Sequence, residues 1–224
     1  MNNKNTVIIT GASSGLGKSL CKNFSASYNV VNISRTIALS EHNIIVDLSN
    51  LEVLKKNLEL NKIQPDLCIL NAGTMGSIGL ADQIKDIDLM EALKVNVVAN
   101  KIIVDWSISN GCKNFIGISS GAAIKNYDGW LNYCVTKSAF RSMFLQYQKD
   151  LPRANFKLIS PGILSTDMNK KIKALDVTIL PDMSKFHETP AVDPSKASDI
   201  IYRKYREYLK CGQIEIDLRN EAEW

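Results

Sequence analysis

The stretch TVIITGASSGLGKSL, residues 6–20, puts a short apolar run directly before a group of glycines and the start of a helix-like pattern. Its glycines are Gly11, Gly15 and Gly17. Their spacing is G-x-x-x-G-x-G, which differs from the G-x-G-x-x-G of the usual dinucleotide fingerprint. Glycine lets backbone N–H groups approach an anion, and a helix N-terminus attracts one. The stretch therefore predicts either a pyrophosphate cradle or a tight strand-to-helix turn.

Short β-branched runs alternate with helical patterns along nearly the whole chain. Strands are predicted near residues 6–10, 29–33, 43–46, 66–70, 114–119, 155–160 and 213–217. Helices are predicted at about 15–27, 50–61, 88–109, 132–151 and 195–209. The second helix has a capping box, with Ser49 as its N-cap and Glu52 three residues later. Because the strands are almost continuously apolar, the pattern predicts an α/β fold. The expected sheet is doubly wound, parallel and of Rossmann type, with about seven strands and helices on both faces.

No repeat, low-complexity tract or Pro/Gly-rich linker divides the chain, so we expect a single domain over residues 1–224. The longest irregular-looking segment is roughly 161–194, which contains four prolines. A long insertion of this kind in an α/β domain is typical of a binding loop, and we expect it to be the substrate loop.

Charge and cysteine usage argue against several classes of protein. The net charge is +4 and basic residues occur singly or in short groups such as RKYREYLK, so we expect no nucleic-acid or membrane partner. No apolar run approaches the roughly 18 residues of a membrane span, and the apolar stretch in MNNKNTVIIT is too short for a secretory signal. The five isolated cysteines are typical of reduced thiols in a cytoplasmic protein. Neither His42 nor His187 lies in a metal-ligand pattern, so no metal is expected.

The end of the second predicted strand carries a signal for the kind of dinucleotide. In dinucleotide-binding folds an acidic residue here holds the ribose hydroxyls, whereas an arginine accommodates a 2′-phosphate. The sequence NISRT contains Arg35 and no acidic residue. Because a guanidinium suits bidentate contact with phosphate, Arg35 favours NADP(H) over NAD(H). The alternative is a solvated surface arginine.

Polar and small residues also follow the third and fourth predicted strands. Asp47 is a candidate acceptor for the amino group of adenine, with Leu48 packing on the ring; alternatively it belongs to the entry of the next helix. In LNAG, Asn71 can tie neighbouring strands together, while Ala72 and Gly73 leave room for a cofactor. Taken alone, both stretches are also compatible with plain turns.

The stretch ISSGAAIKNYDGWLNYCVTK, residues 118–137, contains a candidate catalytic group. Tyr133 and Lys137 are four residues apart, so they share one face of a helix. An ammonium beside a phenol stabilises the phenolate, and we expect it to lower the pKa of Tyr133. Ser120 lies at the end of the preceding strand and can hydrogen-bond the same substrate oxygen.

These motifs occur in the order found in the short-chain dehydrogenases/reductases, and the chain resembles that family over roughly residues 6–167. The shared motifs are T-G-x-x-x-G-x-G at 10–17, Asp47, N-A-G at 71–73, Asn96, Ser120, Y-x-x-x-K at 133–137 and P-G at 161–162. The resemblance implies a nicotinamide cofactor and a catalytic tetrad. The tetrad consists of Asn96, Ser120, Tyr133 and Lys137.

The resemblance also implies a role for each of these residues. Tyr133 protonates the carbonyl oxygen as hydride arrives from the nicotinamide, and Ser120 orients and polarises that carbonyl. Lys137 holds the cofactor ribose and lowers the pKa of Tyr133. Asn96 kinks its helix and holds a water that relays protons to Lys137. The expected cofactor-binding residues are Gly11, Ser13, Ser14, Gly15, Leu16, Gly17, Arg35, Asp47, Leu48, Asn71, Ala72, Gly73, Tyr133, Lys137, Pro161, Gly162, Ile163 and Thr166.

Within the family, the chain is similar to the branch that contains sepiapterin reductase and bacterial benzil reductases. The similar stretches are GWLNYCVTKSAF at 129–140, PGILSTDM at 161–168 and DVTILPDM at 176–183. In sepiapterin reductase an acidic residue after the last strand anchors the pterin. The nearest equivalent here is Asn220, with Asp217 as an approximate candidate, and this departure argues against pterin specificity.

Together these features predict an NADPH-dependent oxidoreductase that reduces a small ketone or dicarbonyl to an alcohol, with pterin-like and benzil-like compounds among the candidates. The alternatives are an NAD(P)-dependent alcohol or sugar-alcohol dehydrogenase that works oxidatively, and a non-catalytic NADP(H)-binding sensor. The resemblance further implies a homodimer or homotetramer, formed by the helices that bear Asn96 and Tyr133. Tyr127 and Trp130 either wall the substrate pocket or are ordinary packing residues.

Overall fold

A computed structural model describes residues 4–224, which form one parallel sheet flanked by helices. The strands are β1 Thr6–Thr10, β2 Asn29–Ser34, β3 His42–Ile45, β4 Leu67–Leu70, β5 Asn114–Ile118, β6 Asn155–Ser160 and β7 Glu215–Asp217. Their order in the sheet is β3-β2-β1-β4-β5-β6-β7, and every neighbouring pair is parallel. The predicted doubly wound sheet is thus confirmed, and its strand order reverses between β1 and β4.

The helices lie on both faces of the sheet. They are α1 Gly15–Ser25, α2 Leu51–Leu60, α3 Asp86–Leu93, α4 Ala99–Ser109, α5 Leu131–Asp150, α6 Asp167–Lys173, α7 Ser184–Glu188 and α8 Pro194–Lys210. The expectation that 161–194 is irregular is wrong in part, because α6 and α7 lie within it. Both helices are short, so their apolar residues do not repeat often enough to give a helical period.

Alternate residues of each strand pack against opposite layers of helices, as the pleat of a strand requires. In β1, Val7 and Ile9 belong to a core layer shared with Phe24 of α1 and Ile200 of α8. Ile8 points the other way, into a layer formed with α2, α4 and α5. Since both faces of the sheet are covered, β1 is apolar at consecutive positions. The apolar run in the sequence predicts this burial.

The helix predicted at 88–109 is present but interrupted. Between α3 and α4 the backbone forms a π-helical turn, Lys94–Val98, and Asn96 lies in the middle of it. The Nδ2 of Asn100, one turn further on, donates to the Asn96 carbonyl oxygen at 2.8 Å and satisfies it locally. A wider turn of this kind bends the helix axis and re-aims the side chains within it.

The predicted capping box of α2 is wrong by one residue. Asn50 is the N-cap, and its side-chain oxygen accepts a hydrogen bond from the Val53 N–H at 3.2 Å. Ser49 is engaged elsewhere, because both its N–H and its hydroxyl donate to Asp47 Oδ1 at 2.9 Å. Because Asp47 engages Ser49, the next polar residue, Asn50, caps the helix in its place.

None of the helices within residues 4–224 combines the length and the apolar character that crossing a bilayer requires.

The turn between β1 and α1 brings the first turn of α1 against the backbone of the loop. Gly11 and Gly15 have φ angles of +69° and +51°, which glycine adopts without strain. A Cβ atom at Gly17 would overlap the Gly11 carbonyl oxygen and lie 2.5 Å from Asn71 Nδ2. The approach of α1 to β1 and β4 therefore requires glycine at position 17.

We predict that Gly17→Ala destabilises the protein by at least about 1–3 kcal/mol, because the added methyl group meets backbone rather than a movable side chain. The matched control is Gly212→Ala, since a Cβ there has nothing within 4 Å and should change the stability by no more than about 0.5 kcal/mol. Urea unfolding followed by circular dichroism measures both. Equal stability of the two variants would contradict the close approach.

Candidate active site

A cleft of about 1240 Å³ runs along the carboxyl ends of the strands. Residues that were predicted from the sequence and that line it are Gly11, Ser13, Ser14, Gly15, Leu16, Arg35, Asp47, Leu48, Asn71, Ala72, Gly73, Ser120, Tyr133, Lys137, Pro161, Gly162, Ile163 and Thr166. Gly17 and Asn96 do not line the cleft: Gly17 packs α1 against the loop, and Asn96 lies behind the wall at 2% exposure. The structure thus brings the predicted residues of six separate strand ends into one cavity.

The glycine-rich loop fits the pyrophosphate of a dinucleotide. Ser14 is the N-cap of α1, yet its side chain makes no capping hydrogen bond, so the N–H groups of the first turn remain available to an anion. The methyl group of Thr166 would lie 3.3 Å from a Cβ at Gly15, which brings the turn after β6 beside the loop. Free N–H donors and a helix N-terminus make this part of the cleft suited to phosphate groups.

Asn71 has the role that its position after β4 suggested. Its Nδ2 donates to the Thr10 carbonyl oxygen at 3.0 Å, and its backbone N–H donates to Thr10 Oγ1 at 3.0 Å. The N–H of Ala72 donates to the same hydroxyl at 2.9 Å. These bonds tie the ends of β1 and β4 together at the floor of the cleft, where Gly73 leaves the cavity open.

Arg35 and Asp47 lie at the opposite end of the cleft from the tyrosine and serine. Arg35 follows β2 and is exposed, and it forms no salt bridge within residues 4–224. The pKa of Asp47 is lowered, mainly by the hydrogen bond from the Ser49 N–H and to a smaller extent by the charge of Arg35. An unpaired cation and an ionised carboxylate therefore sit close together at this end.

Lys137 is buried at the other end of the cleft. Its Nζ donates a hydrogen bond to the Ile118 carbonyl oxygen, at the end of β5, at 2.8 Å. Burial disfavours the charged form and lowers the pKa of this ammonium from 10.5 to about 8. The fold thus provides a lysine that titrates near neutral pH and is held by one backbone oxygen.

Tyr133 differs from expectation in the direction of its pKa shift. Burial raises the pKa of the phenol from 10.0 to about 12, and the Ser120 side chain acts in the opposite direction with a smaller effect. The Lys137 Nζ lies 5.7 Å from the centre of the Tyr133 ring but is bound to the Ile118 carbonyl. In this structure desolvation therefore outweighs the nearby cation.

Asn96 is bound on both sides of its amide. Its Oδ1 accepts from the Thr74 N–H at 2.8 Å, and its Nδ2 donates to the Thr74 carbonyl at 2.7 Å and to Thr136 Oγ1 at 2.9 Å. A Cβ added at Gly73 would lie 3.2 Å from Asn96 Oδ1 and 3.8 Å from Lys137 Nζ. The π-helical turn therefore holds the segment that follows β4 against α5, directly beside the buried lysine. The water relay implied by the family resemblance stays a prediction.

Tyr127 and Trp130 are packing residues that also line the cleft, and their role as walls of a substrate pocket stays a prediction. The Trp130 ring centre lies 5.0 Å from that of Tyr127, 5.7 Å from that of Tyr133 and 4.8 Å from that of Phe186. Phe186, on α7, was missed by sequence reasoning. The aromatic rings that Phe186 contacts, Tyr127 and Trp130, are more than fifty positions away in the chain, and no local motif signals such a contact.

Arg219 and Trp224 also line the cleft and were not predicted. Asp217, the approximate candidate for a pterin anchor, has its carboxylate bound by the Arg219 guanidinium, with Nε 2.9 Å from Oδ1. Asn220, the nearest sequence equivalent of that anchor, is exposed and does not line the cleft. No motif marks this segment, because its position over the cleft depends on the path of the chain after β7.

Comparisons with known proteins agree with this geometry. The sequence model of the short chain dehydrogenase family matches residues 5–176. Benzil reductase ((S)-benzoin forming) of Bacillus subtilis (strain 168) is 28% identical over 218 residues, which cover 87% of this chain and 88% of that protein. The NAD-dependent glycerol dehydrogenase of Listeria innocua is 29% identical over 190 residues, covering 73% of this chain and 72% of that protein. A solved short chain dehydrogenase/reductase from Saccharomyces cerevisiae has the same fold, with a TM-score of 0.84 at 17% identity over 98% of each chain.

A glycine-rich loop at the point where strand order reverses, with a serine, a tyrosine and a lysine in the same cleft, defines the class of nicotinamide-dependent oxidoreductases. The matched residues 5–176 cover most of the chain, so the protein belongs to the short chain dehydrogenase family. It is an enzyme of a family whose members bind a nicotinamide cofactor and act on small molecules.

The buried lysine gives a prediction about stability and pH. Lys137 has a folded-state pKa of about 8, below its ordinary 10.5, so between these values the unfolded chain binds more protons than the folded protein. The stability of the wild type should therefore rise, relative to Lys137→Met, as the pH increases from about 8 to 10. Urea unfolding without added cofactor at pH 7, 8, 9 and 10 measures this.

The matched control for the lysine is Lys149→Met, which alters an exposed lysine of the same helix and should follow the wild type at every pH. A difference between wild type and Lys137→Met that stays constant from pH 7 to 10 would show that Lys137 keeps its ordinary pKa.

Proposed function

We propose that this protein is an NADPH-dependent reductase that converts a ketone or dicarbonyl to an alcohol. The observation that carries the proposal is the layout of the cleft. Ser120, Tyr133 and Lys137 line one end, and the glycine-rich loop with Arg35 lines the other. A dinucleotide with its 2′-phosphate at Arg35 and its pyrophosphate at the loop would extend toward Tyr133.

The chemistry that a bound nicotinamide supplies is hydride transfer to the carbonyl carbon. Reduction also needs a proton at the carbonyl oxygen, and a phenol is a suitable donor only while it is protonated. A phenol is protonated at neutral pH, and burial strengthens this by raising the pKa of Tyr133 from 10.0 to about 12. Ser120 is placed to hydrogen-bond the same oxygen and to hold it against Tyr133.

Lys137 has two roles in the proposal. Its ammonium lies 5.7 Å from the Tyr133 ring centre and so stabilises the negative charge that develops on the phenol as the proton leaves. With a pKa of about 8, it is also able to return a proton to Tyr133 at neutral pH. Asn96 and the Ile118 carbonyl fix the surroundings of Lys137, and they leave its ammonium at the wall of the cleft.

The second candidate is an alcohol or sugar-alcohol dehydrogenase that works oxidatively with NAD, and the likeness to the glycerol dehydrogenase of Listeria innocua supports it. Oxidation requires Tyr133 to accept a proton and therefore to be deprotonated. A phenol with a pKa of about 12 is protonated at neutral pH, which favours reduction. A non-catalytic NADP(H) sensor has less support, since it has no use for a serine beside a buried tyrosine and a buried lysine in one cleft.

We predict that Tyr133→Phe lowers the kcat of ketone reduction by about 10²–10⁴-fold, because the proton donor is lost while the ring remains. The matched control is Tyr202→Phe on α8, where the hydroxyl bonds Ser27 outside the cleft. NADPH consumption with benzil, quinones and pterins measures both variants. If the wild type turns over none of these faster than Tyr133→Phe does, the reductase proposal is wrong.

Arg35 gives a separate prediction for the cofactor. Removing a guanidinium that bonds a phosphate costs about tenfold or more in affinity, so Arg35→Ala should raise the Kd of NADPH by that factor and leave that of NADH nearly unchanged. Arg153→Ala, at an exposed position outside the cleft, is the matched control. Fluorescence titration measures the four Kd values. NADH binding as tight as NADPH binding in the wild type would overturn the assignment.

We further propose that the enzyme is a homodimer or homotetramer built through the helices that carry Asn96 and Tyr133. Val98, beside α4, and Val135, on α5, are apolar side chains exposed on these helices. Phe140 and Phe144 of α5 do not serve this surface, because both are buried in the core.

A further inference from the structure

The 218–224 segment follows β7 and is attached to α8. Glu221 accepts hydrogen bonds from Lys204 Nζ at 2.6 Å and from the Tyr208 hydroxyl at 2.9 Å. Glu223 pairs with Arg203, the residue before Lys204 on the same helix. Two carboxylates thus fix the path of this segment, which would otherwise be a short exposed tail.

This segment lies against the turn that follows β6. Gly162 has a φ of +70°, and a Cβ there would lie 2.9 Å from Cζ2 of Trp224 and 3.4 Å from Cγ of Arg219. Both side chains line the cleft. Because the same turn belongs to the cofactor-binding residues predicted from the sequence, Arg219 and Trp224 lie at the end of the cleft where the substrate would meet the cofactor.

Arg219 presents donors to the cleft while its counter-ion lies behind it. Its Nε and Nη2 bond the Asp217 carboxylate, so the two N–H groups of Nη1 and one of Nη2 remain available. Asp217 does not line the cleft, whereas Arg219 does and its side chain is 58% exposed. The carboxylate therefore orients the guanidinium without occupying the donors that face the cavity.

A second cation repeats this arrangement. Lys185, on α7, bonds Asp182 at 2.7 Å and lines the cleft, whereas Asp182 does not. The Tyr127 ring centre lies 5.6 Å from that of Phe186, the neighbour of Lys185 in the chain. The pKa values of Arg219 and Lys185 are raised mainly by their own carboxylates, with a smaller contribution from Tyr127 in both cases. A Cβ at Gly121, next to Ser120, would be 3.3 Å from the Tyr127 hydroxyl. The cations therefore gather on the side of the cleft that adjoins Ser120.

The acidic residues of the cleft lie on other parts of its wall. They are Asp47 beside Arg35, Asp88 and Glu91 on α3, and Asp167, which pairs with Lys170. The wall formed by α7 and the 218–224 segment combines the two cations with apolar rings. Those rings are Phe186 of α7 and Trp224, together with Tyr127 and Trp130, which precede α5 and pack against Phe186. Such a wall suits a substrate that has an apolar or aromatic body and a negative charge.

We propose that the substrate is a keto acid, a carbonyl compound whose apolar or aromatic body carries a carboxylate, and that Arg219 binds this carboxylate with Lys185 beside it. The proposal rests on the reductase function proposed above and specifies its substrate class. The carboxylate takes no part in the bond changes. The carbonyl carbon accepts the hydride of NADPH, the carbonyl oxygen accepts the proton of Tyr133, and NADP⁺ and the hydroxy acid leave.

Matched acids and esters test the proposal. Benzoylformate, 3-benzoylpropionate and 4-benzoylbutyrate place a carboxylate at increasing distance from the ketone, and the methyl ester of each removes the charge. At the chain length that fits, the acid should exceed its ester in kcat/KM by about tenfold, the value of one charge-assisted hydrogen bond. Arg219→Gln should bring the acid down to the level of the ester, mainly through KM, and leave the ester unchanged. Arg219→Lys should restore part of the difference.

Arg153→Gln is the control for charge alone, and thermal unfolding of Arg219→Gln checks that it folds. The proposal is overturned if the esters match or exceed the acids at every length, or if Arg219→Gln slows acid and ester equally. If the wild type reduces no acid, ester or benzil, the reductase function fails independently. In that case the anion site is tested by whether 4-benzoylbutyrate protects the NADP⁺-bound protein against thermal unfolding. Protection of the wild type that is lost in Arg219→Gln supports the anion site, and equal protection of the two proteins refutes it.

Discussion

The hydrogen bonds that Thr10 accepts from the Asn71 side chain and from the backbone N–H groups of Asn71 and Ala72 hold the sheet together at the point where its strand order reverses. On one side of this point the chain crosses over one face of the sheet, and on the other side it crosses over the opposite face. The loops therefore diverge, and a crevice opens between them. Every other part of the site depends on this crevice. The glycine-rich loop follows β1, and the residues around Lys137 follow β4 and β5.

Burial is the main cause of the pKa shifts at the catalytic end of the cleft. It lowers the pKa of Lys137 to about 8 and raises that of Tyr133 to about 12, so the two groups differ more in proton affinity than they do in water. At neutral pH both are still mainly protonated. Hydrogen bonds then determine how these side chains are oriented. The Ile118 carbonyl fixes the Lys137 ammonium, and the side-chain amide of Asn96 joins Thr74, in the segment after β4, to Thr136 of α5. A π-helical turn gives Asn96 this position, which a regular helix would not.

The sequence predicted those features that have a local cause. Alternating core layers made β1 continuously apolar, and the spacing of Tyr133 and Lys137 placed both on one face of α5. Features with a competing or distant cause were missed. Asp47 accepts the hydrogen bonds of Ser49, which therefore does not cap α2. Desolvation raises the pKa of Tyr133 in spite of the nearby Lys137 ammonium. Arg219 and Trp224 reach the cleft only because β7 pairs with β6, and no motif near either residue records that pairing.

The attachment of the 218–224 segment to α8 differs in kind from the attachment of the glycine-rich loop. The loop is held by backbone contacts and close packing, which dissolved salt hardly affects. The segment is held by the buried Leu218, by the half-buried pair Lys204–Glu221 and by the exposed pair Arg203–Glu223. An exposed pair weakens as ions screen it over about 8 Å at physiological ionic strength. Salinity would therefore loosen one attachment of the wall that selects the substrate, whereas the backbone packing that shapes the glycine-rich loop would stay as it is. The two halves of one cavity thus respond to different properties of the surrounding solution.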